Sequence, residues 1–206
     1  MPPAAAMRVR TPTPTLHARL REATRPAHAR LEAALDILAA PMAAERIVGL
    51  LERFHGFHAA WEPALGGRVP DLLLAPRLKL RLLQHDLRCL GVGEQRLRHL
   101  PRCEQAAGLC ASRPEAAGTL YVMEGSTLGG RMISRSLQAA PWHPSERLQY
   151  WNPYGDATGR RWSEMLASLE SLAPADADAV VGSAIATFDV LHAWLLPRVV
   201  SQGRPA

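Results

Sequence analysis

Lysine is almost missing from this 206-residue chain: Lys79 is the only one among its 24 basic residues. The rest are arginine, the better fork for carboxylate or phosphate. They are spread along the chain, with no basic run interleaved with aromatics. The net charge of +5 therefore does not read as a nucleic-acid surface. Cysteine is scarce too. Cys89, Cys103 and Cys110 are odd in number and form no CxxC pair, which speaks for reduced thiols in a cytoplasm and against a structural zinc site. Long apolar runs are absent, with Arg, His or Asp breaking every stretch before the ~18–20 residues that a membrane span needs. The first fourteen residues (MPPAAAMRVRTPTP) have no apolar centre and read as a tail, not a secretion signal. Apolar residues make up 48% and charged residues 21%, the balance of a chain with a globular core.

What is present is helical periodicity. Leu16, Leu20, Ala23, Ala27, Leu31, Ala34 and Leu38 recur in steps of three and four, the mark of an amphipathic helix. Pro26 falls inside it, where the missing donor and the crowded preceding turn predict a kink or a restart. A second helix runs from Ala43 through Ile47, Leu50, Leu51, Phe54, Phe57 and Trp61 to Pro63. A loop over 66–76 follows, then a leucine-rich helix over 78–90. Two shorter stretches fall at 95–100 and 102–111. Pro114 suits the first turn of a long helix reaching Leu137, and further helices are expected at 160–172 and 175–196, stopped by Pro197. No strand alternation, internal repeat or linker interrupts this pattern. The expectation is one all-α domain of seven or eight helices over 15–197, between a tail at 1–14 and another at 198–206.

Three segments carry chemistry. Arg21, Arg25, His28 and Glu32 fall within about 60° of one helix face at 100° per residue. A neutral imidazole is a good iron ligand, and a carboxylate four residues on can take the other ring N–H, fixing the tautomer. The two arginines could pair with acidic groups of the same ligand. A solvated face with an ordinary His–Glu contact has the same spacing, and spacing leaves both open.

The second segment, Gly125-Ser126-Thr127-Leu128-Gly129-Gly130, interrupts the helix begun at Pro114. Three glycines inside a helix cost about 2–3 kcal/mol relative to alanine, out of a domain stability of about 5–15 kcal/mol. Either another helix comes close through a small-residue patch or a flat ligand lies against the backbone. No Gly-Lys-Ser/Thr follows and no strand precedes, so a phosphate-binding loop is excluded. The third segment, Trp151 to Trp162, reads as a turn into a helix, with Thr158 as an N-cap. Among the other histidines, Glu52-x-x-His55 has the spacing of half a di-iron carboxylate site, but the second half is missing. His55 and His58, beside Phe54 and Phe57, read as packing, and His192 as a core or rim residue.

Together, Leu20–Glu32 (LREATRPAHARLE), Gly118–Leu137 (GTLYVMEGSTLGGRMISRSL) and Asn152–Trp162 (NPYGDATGRRW) resemble the heme oxygenase family, in its bacterial, biliverdin-producing, bacteriophytochrome-associated branch. The resemblance runs from about Leu16 to Leu196. It implies a heme-binding helical bundle with heme between a proximal helix and a kinked distal helix. By the resemblance, His28 is the proximal iron ligand, Glu32 its hydrogen-bond partner, and Arg21 and Arg25 the basic residues near the heme propionates. Gly125, Gly129 and Gly130 match the distal glycines that lie against the heme, and Phe188 matches a pocket-lining residue of the last helix. Ser126 stands where the vertebrate branch has an aspartate that organises water for proton delivery, so Gly125, Ser126 and Gly129 are the catalytic candidates and the proton route stays unassigned. The implied reaction is oxidative cleavage of heme to biliverdin, CO and ferrous iron, with O2 and electrons from a separate reductase or ferredoxin. A bacteriophytochrome could accept the biliverdin. The alternative is a heme carrier or sensor of the same fold that does not turn over.

Overall fold

The computed structural model describes residues 14–37 and 43–196, so almost all of both expected tails, Leu38 and Pro197 lie outside the described residues. Within it are nine α-helices and no strand. They are α1 (Leu16–Leu35), α2 (Ala44–Ala64), α3 (Asp71–Leu74), α4 (Leu80–Cys89), α5 (Glu94–Arg98), α6 (Glu104–Gly108), α7 (Arg113–Gln138), α8 (Thr158–Glu170) and α9 (Ala177–Leu195). Short 3-10 turns at Ala75–Arg77, Gly155–Ala157 and Pro174–Asp176 join them. The extra helix is α3, a single turn inside the stretch expected to be loop.

α1 begins where Thr15 Oγ1 accepts the amide of Ala18 at 3.2 Å, one of the orphan donors that every helix start must satisfy. Leu20, Thr24, Ala27 and Leu31 form its buried stripe. α1 passes through Pro26 as one helix, without the expected restart. Glu22 and Pro26 are both exposed, so the carbonyl that loses its amide partner sits on the wet side, where water can replace it. α2 carries the heaviest core load, with Ile47, Leu51, Phe57 and Trp61 essentially sealed from solvent. Burying such side chains stabilises by about 1.5–3 kcal/mol each.

α9 packs against α1 on one side and α7 on another. The ion pairs Arg19–Asp178 at 2.6 Å and Arg30–Asp189 at 2.5 Å keep one offset along both helices, so α1 and α9 run parallel. The α7 contact is close: a Cβ on Gly118 would sit 2.2 Å from the Val180 carbonyl oxygen. Ser183 Oγ donates across the same seam to the Glu115 carbonyl at 2.8 Å. The segment Pro174–Leu195 is long and apolar enough to cross a bilayer by length and composition, but its packing on α1 and α7 makes it the central helix of the bundle. All three cysteines are unpaired.

Candidate functional site

The α1 face is built as its spacing predicts. His28 Nδ1 lies 3.3 Å from Glu32 Oε2, with the two side chains 52% and 69% exposed. His28 Nε2 has no protein partner among the described residues. The Phe188 ring of α9 meets the imidazole edge-on, with centroids 5.5 Å apart and planes at 89°, so this aromatic side chain limits how the ring can turn. Arg25 is turned to Glu22 at 2.8 Å, an exposed pair one turn back. Arg21 lies close enough to Tyr121 of α7 to oppose the upward pKa shift that burial imposes on the phenol. Three rings tie this end of α1 to α7 and α8: His17 is 6.1 Å from Tyr121 and 6.0 Å from Trp162, which are 5.4 Å from each other.

On α7 the structure differs from expectation. The helix is unbroken across Gly125–Gly130, because its amide ladder needs no side chains, and the expected interruption is not there. The three glycines also divide. Nothing lies within 4 Å of a Cβ on Gly129, and one on Gly125 would only touch the Trp162 ring at 3.7 Å. At Gly130 the added carbon would sit 2.0 Å from the Trp151 carbonyl oxygen. Gly130 is therefore where another stretch of backbone comes close, and it presents no open face to a ligand.

The open face is a different set. Gly125, Leu128, Gly129 and Met132 share one side of the helix at steps of three and four. Leu128 is 47% and Met132 62% exposed, two of the four large hydrophobics so exposed among the described residues. The Ser126 hydroxyl donates to the Met123 carbonyl at 2.8 Å, which commits its proton to its own helix and leaves two lone pairs free.

Beneath this face is a buried charge network that sequence reasoning missed. Glu124, one residue before Gly125, has its side chain 1% exposed. It lies 2.8 Å from Lys79 Nζ and 3.1 Å from Arg77 Nε. Tyr154 donates its hydroxyl to Glu124 Oε1 at 2.9 Å, and burial together with the neighbouring carboxylate pushes that phenol far up. Arg77 also donates to the carbonyls of Leu73 at 2.6 Å and Arg161 at 2.8 Å. One carboxylate thus pins α7 to the turn before α4 and to the segment before α8. The lone lysine was a signal, but not of its partner.

Below the same turn, Glu62 Oε1 accepts the amides of Lys79 and Leu80 at 2.6 and 2.9 Å and lies 2.8 Å from His58 Nδ1. Burial holds His58 and His55 below the usual imidazole range, so both histidines are packed, as expected. Glu52 pairs with Arg96 at 2.6 Å, which takes it away from any di-iron role. Thr158 is the first residue of α8 and not its cap: its hydroxyl donates to the Gly155 carbonyl at 2.8 Å, because the 3-10 turn already starts the winding. A small cavity of about 60 Å³ beside Leu120 and Met165 and a recess of about 410 Å³ beside His85 and Asn152 are lined by none of His28, Gly125 or Gly129.

No protein-family model matches the chain. A heme oxygenase of Xanthomonas campestris pv. campestris (strain 8004) is 31% identical over 157 residues, covering 74% of this chain and 90% of that protein. The chain belongs to the heme oxygenase family. The fold agrees. Heme oxygenase-1 of Synechocystis sp. PCC6803, solved in complex with heme, superposes with a TM-score of 0.70 at 16% identity, over 87% of this chain and 90% of that one. The heme oxygenase of Leptospira interrogans gives 0.69 at 17% identity, over 88% and 98%. In this heme oxygenase, then, His28, Glu32 and Phe188 form one cluster on α1 and α9, while Gly125 and Gly129 belong to a separate open face on α7.

Proposed function

We propose that this heme oxygenase binds heme through His28 and cleaves it to biliverdin, CO and ferrous iron, using O2 and electrons from a separate reductase or ferredoxin. The observation that carries the reading is the His28 imidazole. It is half-exposed, with Glu32 at Nδ1 and no partner at Nε2 among the described residues. The surroundings fit an iron porphyrin: an aromatic edge beside the donor, arginines one and two turns back, and an apolar helix face without side chains at two positions.

When bound, heme supplies both the oxygen-binding iron and the ring that is cut. The chain supplies position and electrostatics. Glu32 holds the proton on Nδ1, leaving the Nε2 lone pair for the metal. Arg21 is free of ion pairs among the described residues and offers its fork to a carboxylate of the ligand. Arg25 must first leave Glu22, an exposed pair worth only about 0–1 kcal/mol. Gly125 and Gly129 keep α7 bare where a flat ligand would lie. Ser126 Oγ, its proton held by the Met123 carbonyl, can accept from an ordered water but does not itself deliver the proton. The unpaired thiols support a cytoplasmic setting, and a biliverdin-accepting bacteriophytochrome is the product partner this reading suggests.

The test is to titrate the purified protein with hemin, then add ascorbate or a reductase under O2 and chromatograph the products. One equivalent of hemin should raise a Soret band that decays as biliverdin appears. A Soret band that persists without biliverdin would replace the enzyme reading by a heme carrier or sensor of the same fold.

A further inference from the structure

A second cluster of metal-ligand type lies outside the face assigned to heme. His85 and Cys89, four residues apart on α4, meet Glu146 from the stretch between α7 and α8. Cys89 Sγ is 3.5 Å from His85 Nε2 and 3.5 Å from Glu146 Oε2, and His85 Nε2 is 3.9 Å from the same Glu146 oxygen. Tetrahedral zinc, with bonds of about 2.0–2.1 Å to nitrogen or oxygen and about 2.3 Å to sulfur, sets its ligand atoms roughly 3.3–3.6 Å apart. The two sulfur distances already lie in that range, and the His85–Glu146 distance must close by about half an ångström. Weak hydrogen bonds, from a His85 Nε2–H to Sγ and from the thiol to Glu146 Oε2, satisfy the two short contacts in the metal-free chain, and a metal would take the same three atoms.

The geometry is also held in place. The Asp86 carboxylate, on the next residue of α4, accepts the amides of Gln149 and Tyr150 at 2.8 Å each, which fastens the Glu146 segment to the helix. On its open side the cluster borders the recess of about 410 Å³, whose walls include His85, Glu146 and Asn152. Asn152 Oδ1 is shielded from solvent and accepts no hydrogen bond from the described residues. The cysteine-spacing argument against zinc applies to sites built from CxxC pairs and does not reach a mixed one.

We propose that His85, Cys89 and Glu146 bind a divalent cation of the zinc type, with the fourth position open to the recess. Three protein ligands and one open position describe an exchangeable site, in contrast to the closed sets of structural zinc. The site does not depend on heme binding. To test it, chelator-stripped, heme-free protein is titrated with Co2+ under reducing conditions and then challenged with Zn2+. One equivalent should produce a thiolate-to-cobalt charge-transfer band that zinc removes. C89S should abolish that band and H28A should leave it unchanged. Should C89S fold poorly, E146Q, altered at an exposed side chain, should weaken cobalt binding at least tenfold in competition with a chelating dye. Absence of the band at one equivalent, a full band in C89S, or unchanged affinity in E146Q would overturn the site.

Discussion

The two helix faces assigned to the ligand are held in opposite ways. On α1, His28, Glu32, Arg25 and Glu22 stand half or more exposed, joined by contacts of 3.3 and 2.8 Å that water can replace. On α7, the open glycine face rests on Glu124, which is sealed in with Arg77 and Lys79 and accepts the half-buried Tyr154 hydroxyl. Exposed pairs contribute about 0–1 kcal/mol, whereas removing one partner of a buried ion cluster costs about 3–5 kcal/mol. The α1 side chains can therefore rearrange around a ligand at little cost, while α7 is a fixed wall. Rigidity sits under the bare backbone of α7, and adaptability around His28, the side chain proposed to ligate iron.

This contrast breaks most readily at its buried end. Glu124→Ala leaves Lys79 without a carboxylate and Arg77 with only Glu164 at 3.3 Å, and urea unfolding should show a loss of about 3–5 kcal/mol. A loss below about 1 kcal/mol would mean that the network does not anchor α7. Next come the glycines. Gly130→Ala drives a methyl into the Trp151 carbonyl and should cost about 1–3 kcal/mol. Gly129→Ala meets open space and should stabilise by up to about 1 kcal/mol through helix propensity. Equal effects at the two positions would remove the division between packing and open glycines.

The third effect is on pH. His58 supports the turn that carries Lys79, and burial sets its folded pKa below the ordinary value of 6.5. The unfolded chain therefore binds a proton that the folded chain refuses, and stability declines as pH falls below about 6.5. Urea midpoints should drop between about pH 8 and about pH 5.5, and His58→Gln should flatten that drop. Identical slopes in both proteins would clear His58 of the role.

Sequence spacing made the α1 face legible, because His28 and Glu32 are neighbours on one helix and their contact is local. The buried anchor was not legible in the same way. Lys79 and Glu124 are 45 residues apart, and Arg77 and Glu164 are 87 apart, so no periodicity could pair them. The glycine segment is expected to interrupt α7, and the helix instead runs on through all three glycines. Glu124 and Thr127, whose hydroxyl donates to the Glu124 carbonyl at 2.7 Å, are buried on either side of Gly125. Pro26 causes no restart of α1 because the carbonyl that loses its amide partner faces water. The NPYG segment was legible as a turn into a helix, and its local work, Tyr154 on Glu124 and Trp162 against Gly125, appears only in the fold.

The central claim is that His28 Nε2 is the protein's ligand to heme iron, and the absorption and electron paramagnetic resonance spectra of the ferric heme complex test it most directly. In H28A, helix content and urea midpoint should stay near those of the parent, the histidine-ligated signature should vanish, and added imidazole should restore it. Spectra identical to the parent's, with no response to imidazole, would contradict the account.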